Sequence, residues 1–255
     1  MDKVRLGGMA LANGVLVHGP SAWACAVRAR DGSIKVASGT KRRFGRSVNA
    51  PLVRGPVRLA EAFALIPDVR RALPEARLPF ERPRVLAAIV AGSTLGAVAR
   101  RSGLSAGTKE AVAALASLVP AALALRGGEL ASYHGAEHVS IGTYEQDGRR
   151  AAKEHERCGS HLVGPLLLTS VAAGVVAGRA PRAGRPVARV AGALGAVGAS
   201  VEVFGWMTRH PENPLARLLS RPGHLLQSRL STQEPSPAQL EVANAALAAC
   251  LELEA

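Results

Sequence analysis

Leu162–Gly178, LVGPLLLTSVAAGVVAG, is an uncharged run that reaches the ~17-residue minimum for a helix crossing the hydrocarbon core of a bilayer. Three other runs share its character: Val85–Ala99, Ala111–Leu125 and Val190–Thr208, the last interrupted by Glu202. The first two are short. They reach spanning length only with flanks such as Leu104–Thr108 or by snorkelling of Arg and Lys. Interiors rich in Gly, Ala, Ser and Thr suit close helix packing in lipid, and they would equally suit buried helices of a soluble bundle. With only 2 Trp and 2 Tyr, interfacial aromatic belts are nearly absent, which counts against spanning. The expected fold is mainly α, with about four short transmembrane-like helices.

Beyond these runs, composition narrows the choices. The chain has 255 residues, enough for one domain with a sizeable core or a small bundle with tails. Its formal charge of +13 reads in part as a GC-rich coding bias toward Arg and Ala, and functionally as attraction to an anionic partner, either nucleic acid or the anionic inner membrane leaflet. No aromatics interleave with the Arg residues to stack on bases, so no nucleic acid is expected. The Arg residues instead flank apolar runs, which suits membrane lipids and the positive-inside rule. Cys25, Cys158 and Cys250 are scattered and odd in number, which excludes a disulfide framework and fits a reducing compartment. Met1–Val17 lacks the layout of a signal peptide.

Residues 1–50 read as a β/loop region. Ala22–Arg28 and Ile34–Val36 flank Asp31-Gly32, a hairpin signal, and 38–50 read as a basic loop with Lys41, Arg42, Arg43 and Arg46. Residues 51–84 read as a basic amphipathic helix. Val57, Leu59, Ala60, Phe63 and Ala64 recur at helical spacing among Arg54, Arg58, Arg70 and Arg71, with Pro67 and Pro74 limiting its length. Residues 85–208 form the expected bundle, with a polar motif loop at 126–161 and a short basic turn at 179–189. Residues 209–255 are an expected cytosolic segment ending in an amphipathic helix over 236–253. There Ser236 caps, Gln239 completes the box, and Leu240, Ala243, Ala246, Leu247 and Cys250 share a face.

The sharpest chemical pattern is Tyr133-His134-Gly135-Ala136-Glu137-His138. On a helix, His134 and His138 share a face and can reach one divalent cation, zinc being the obvious choice. Glu137 beside them is placed to act as general base. The string H-x-x-E-H is the inverted zinc-protease pattern; the plainer alternative is a pair of surface histidines. Glu145, His155, Cys158 and His161 follow closely, and all of them can coordinate metal or titrate near neutrality. Cys158, in Arg157-Cys158-Gly159, precedes a helix start whose dipole, with Arg157, favours a thiolate; otherwise it is a small buried capping residue. Glu202, inside an apolar run, marks function if that run is in lipid and could supply a further metal ligand. In a soluble helix it simply faces water.

These residues carry a resemblance to the YqhQ-like family, catalogued as a domain of unknown function. Gly7-Gly8-Met9-Ala10 with Gly14–Pro20 resembles the family's opening, and Tyr133–His138 its Tyr/Phe-His-Gly-Ala-Glu-His signature, followed by Tyr144-Glu145. His155–Ser160, Gly198–Glu202, Pro222–Gln227, Ser231–Pro235 and Gln239–Ala243 resemble further blocks in the same order. The chain departs from the pattern at Asn13, His18 and Val139, while His134, Glu137, His138, Glu145, Cys158, Glu202, Gln227 and Glu234 match it. The resemblance implies an integral membrane protein, and some members are labelled metal-dependent enzymes.

With four spans, the N-terminal hairpin, the 126–161 stretch and the C-terminal tail share one side. The Arg content of 38–84 and 149–157 makes that side cytosolic and puts both termini there, in a multi-pass protein of the inner membrane; the basic 179–189 turn opposes this. Two functional expectations remain open. One is a metal-dependent hydrolase with His134 and His138 as ligands, Glu137 as base, and Glu202, Glu145, Cys158 or His155 completing the site, acting on a lipid or a membrane-associated peptide. The other is a non-catalytic membrane scaffold or ion handler whose polar cluster, including Tyr133, Arg157, Gln227 and Glu234, holds soluble segments against the bundle.

Overall fold

The computed structural model describes residues 3–42, 48–126 and 128–255. Arg43 and Arg46 of the expected basic loop lie outside them. Four strands, β1 (Gly7–Leu11), β2 (Gly14–His18), β3 (Ala22–Arg28) and β4 (Ile34–Thr40), form an antiparallel meander in sequence order. The Asp31-Gly32 turn joins β3 to β4 as expected, with Gly32 at φ +85°. β4 runs on to Thr40, so the first residues of the expected loop are strand, paired Ala22↔Thr40 and Ala24↔Ser38.

β2 and β3 are buried almost throughout, without the polar alternation of a half-exposed sheet. The reason is that both faces are covered. Successive side chains point to opposite faces. Val15, Val17, Ala24 and Ala26 pack on one side against α5 (Gly128–Glu145) and α9 (Pro237–Glu254). Leu16, Trp23, Cys25 and Val27 pack on the other against Leu65, Val69, Leu73, Ala76 and Leu78. Each large apolar side chain buried this way contributes ~1.5–3 kcal/mol. Asn13, at the β1–β2 turn, accepts from Arg77 N–H (2.9 Å) and donates to Glu75 O (3.0 Å) and Arg28 O (3.1 Å). It thereby pins the connecting segment to the sheet.

The expected basic amphipathic helix is two helices, α1 (Arg54–Phe63) and α2 (Ile66–Ala72), broken ahead of Pro67. Glu202 holds α1 against the bundle, accepting from Arg54 Nε at 2.7 Å and from its Nη2.

The four apolar runs are helices: α3 (Pro83–Arg101), α4 (Ala106–Leu125), α6 (Val163–Gly178) and α7 (Arg185–Arg209). Among the described residues, three helices are long and apolar enough to cross a membrane: Ala106–Leu125, Gly159–Gly178 and Arg185–Arg209. α3 does not reach that standard, so three of the about four expected transmembrane-like helices do. α3 pairs with α4, and Arg100 grips the buried Glu110 through both carboxylate oxygens (2.9–3.1 Å). The outward faces are apolar, with Val187 72%, Val176 65% and Val190 64% exposed, a surface that water does not favour.

The 126–161 stretch is a loop only in its second half. Its first half is α5, a helix buried on nearly all sides because the sheet, α9 and the segment after α8 (Pro214–Leu226) surround it. The C-terminal helix forms with its expected box: Ser236 accepts from Gln239 N–H while Gln239 accepts from Ser236 N–H (2.9 Å). Its face of Val242, Ala243, Ala246, Leu247 and Cys250 closes the core under the sheet.

Candidate metal centre

α5 places His134, Glu137 and His138 on one buried face, as the i, i+3, i+4 spacing requires. Two glycines allow the close approach. A side chain on Gly135 would lie 2.0 Å from the Gln233 carbonyl, and one on Gly8 of β1 would lie 2.3 Å from Glu137 Oε1. The glycine of the opening motif therefore makes room for the carboxylate.

Backbone carbonyls orient both imidazoles. His134 Nδ1 is 2.8 Å from Ser231 O, and His138 Nδ1 is 2.6 Å from Lys153 O. A carbonyl can only accept, so each Nδ1 carries the proton and each Nε2 turns a lone pair inward. The same outer support is typical of metal-ligating histidines. Cys158 Sγ is 3.5 Å from His134 Nε2. That is about the edge of a tetrahedral site with bonds of ~2.0–2.3 Å. Ligand atoms of His134, His138 and Cys158 all lie within 4.8 Å of one another, so the donor set fits a small divalent cation.

The remaining sequence candidates divide. His155 lies beside His138, the rings tilted with centroids 5.6 Å apart, and its Nε2 is held 3.0 Å from Glu145, which also pairs with Arg157. Glu145 and His155 thus flank the cluster and do not join it. Glu202 belongs to the α1–α7 contact with Arg54. Glu234 pairs with Arg150 at 2.8 Å on the surface. Tyr133 is buried in the core between the sheet and α9. Gln227 is fully buried and brackets the Cys158 loop: it accepts from His155 N–H (2.7 Å) and donates to Ser160 Oγ (2.7 Å), with His161 Nε2 at 3.0 Å. The carbonyls of Ser231 and Lys153 were missed in the sequence, because a backbone oxygen carries no residue signal.

Burial dominates the electrostatics. It pushes the Glu137 carboxyl up to about 7, with His134 opposing and Cys158 adding. It pushes His138 down to about 3, helped by His134, and lowers His155. The Cys158 thiol is raised by burial, which outweighs the Ser160 N–H at its sulfur. The expected thiolate is therefore not favoured by the protein alone; a cation in the site would supply the missing charge.

The cluster opens into a chamber of about 810 Å³, within the ~300–1,000 Å³ of ligand sites. Arg157 and His155 lie at its polar end, and Leu115, Leu118 and Leu125 of α4 with Val163 and Leu167 of α6 form its apolar wall.

A sheet unit burying a His/His/Glu/Cys cluster, joined to apolar helices of membrane-spanning length, defines the class. The family model described as "Protein of unknown function (DUF1385)" matches residues 129–253, so this part of the chain is similar to the YqhQ-like family. It is 33% identical over 130 residues to "Uncharacterized protein YqhQ" of Bacillus subtilis (strain 168), an alignment covering 48% of this chain and 41% of that protein. The chain thus spans about two-fifths of that relative's length. No solved structure matches. The family match contains the cluster and α9, while the Gly7-Gly8 opening lies outside it.

Proposed function

We propose that this protein is a metal-dependent hydrolase of the inner membrane, with its sheet unit and both ends of the chain on the cytosolic side. His134, His138 and Cys158 hold one divalent cation, zinc by its preference for nitrogen and sulfur donors. The observation that carries this reading is the pair of Nδ1–carbonyl contacts, which commits both Nε2 lone pairs to the point that Cys158 Sγ also faces. When bound, the cation supplies Lewis-acid polarisation of a carbonyl and acidifies water. Glu137, one position from a ligand and buried at the wall of the chamber, accepts the proton of the attacking water and returns it to the leaving group. Three protein ligands leave a fourth position open for substrate. The apolar helices and the Arg-rich segments beside them match a bilayer with an anionic inner leaflet.

Metal quantification on purified protein tests this. About one equivalent of zinc is expected in the wild type and in Glu137→Gln, and none in His134→Ala. Hydrolysis of a panel of chromogenic esters and peptides is expected to be lost in both variants. Zinc retained without turnover would make the protein an ion handler or scaffold, and no zinc in the wild type removes the reading.

A further inference from the structure

β1 is one edge of the sheet, and it borders the chamber. Its pairing with β2 closes at Leu11↔Gly14 across a two-residue turn, so Leu11, Met9 and Gly7 make the ladder bonds. Alternation then turns the N–H and C=O of Gly8 and Ala10 outward. No described residue pairs with these groups. Gly8 is exposed beside Glu137, and Ala10 is 6% exposed, so its outward groups are sheltered from water without a partner. Sheltered backbone groups are nearly always bonded, and a free edge is a template for an added strand.

The surroundings say what kind of strand. The wall opposite is Leu115, Leu118, Ala122 and Leu125 of α4 with Val163 and Leu167 of α6, and those stretches contribute no polar side chain to the lining. Leu115 is 56% exposed on a helix of spanning length, so the chamber opens through apolar surface. The C-terminal end of α4 and the N-terminal end of α6 both adjoin the cluster, so polar chemistry is confined to one end. A lipid tail would fill the apolar wall and leave the edge of β1 unpaired. An extended apolar peptide satisfies both.

We propose that the chamber takes an extended apolar polypeptide segment, such as one drawn from a membrane-embedded partner, as an added strand on the outer edge of β1, pairing with Gly8 and Ala10 and presenting a peptide carbonyl to the His134–His138–Cys158 cluster. Cleavage rests on the hydrolase reading above; the strand pairing does not. In the reaction, water adds across the peptide C–N bond. Its oxygen joins the carbonyl carbon, Glu137 carries the proton to the departing nitrogen, and a carboxylic acid and an amine result.

The test is binding of a fluorescein-labelled ten-residue peptide of alternating Leu and Ala to full-length Glu137→Gln protein in detergent. Two N-methylated versions, each blocking one alternate set of amides, are measured beside it. One set faces β1, and its methylation is expected to weaken binding at least tenfold, while the other changes it less than twofold. Ala10→Pro, which deletes an outward N–H not used by the β1–β2 ladder, is expected to weaken the parent peptide similarly. Equal tolerance of both methylations overturns the proposal. So does displacement of the peptide by phosphatidylglycerol with both methylated peptides bound like the parent; that result makes the chamber a lipid site. Zinc content of the wild-type protein, measured beside peptide binding, separates the two readings. Alternating sensitivity in a protein that holds no zinc keeps the strand site and removes the hydrolase, whereas zinc with no peptide pairing does the reverse.

Discussion

Gln227 shows how one side chain can govern the cluster without touching it. It is fully buried, and its amide bonds both the N–H and the carbonyl of His155 (2.7 and 3.2 Å) and Ser160 Oγ, which bracket Cys158. Gln227→Ala would leave buried groups unpaired, at ~1–3 kcal/mol for each orphaned group. Loss of such outer support typically lowers metal affinity 10–100-fold. Competition with a chelator of known affinity should show a drop of that size; unchanged affinity would mean the Cys158 loop is held by something else. At this scale the His134/Glu137/His138 constellation was legible, because helical spacing alone puts the three on one face. The role of Glu202 was not. Its partner Arg54 lies 148 residues away, and only the packing of α1 on α7 makes it an ion pair and not a ligand.

Among the elements, the sheet carries a pH dependence of its own. His18 ends β2 opposite Gly7, and burial, then Lys41, depress it to about 4, with Gly19 and Glu254 opposing. The unfolded chain takes up this proton near 6.5, while the folded sheet refuses it until about 4. Stability is therefore full above ~6.5 and falls as pH drops through that window, by on the order of 3 kcal/mol in all. Hydrogen exchange of β1–β3 amides should accelerate between pH 7 and pH 5 beyond the intrinsic rate change, and His18→Gln should flatten that response. An equal response in His18→Gln would assign the acid sensitivity elsewhere. The β3–β4 turn and the α9 cap were readable from local chemistry. The continuous burial of β2 and β3 was not, because an apolar run of five to seven residues does not say what covers each face.

For the whole molecule, the packing constrains topology. The sheet, α5 and α9 form one unit; Arg28 Nη2 even donates to Ala238 O at 2.8 Å. These elements must lie on one side of any membrane. Crossings between them therefore come in pairs, α3 with α4 and α6 with α7. If α4 crosses, α3 crosses with it, although α3 alone falls short in apolarity; its Arg100 is masked by Glu110 of α4. Cysteines introduced at Gly103 and Ala183, in the two turns far from the sheet, should both react with a membrane-impermeant maleimide from outside intact cells. Labelling of Ala183→Cys alone would leave only the α6–α7 pair in the membrane.

Composition and spacing by themselves determined that the chain is mainly helical, that apolar helices flank a polar cluster, and that two imidazoles and a carboxylate share one helix face. Those are local properties, set by periodicity within a few turns. Only the tertiary structure decided that half of the polar stretch is a buried helix, that Cys158 and not Glu145, His155 or Glu202 lies with the two imidazoles, and that an outer strand edge borders them. Each of those depends on contacts between residues far apart in the chain, which close only when the sheet is clasped between α2 on one face and α5 with α9 on the other.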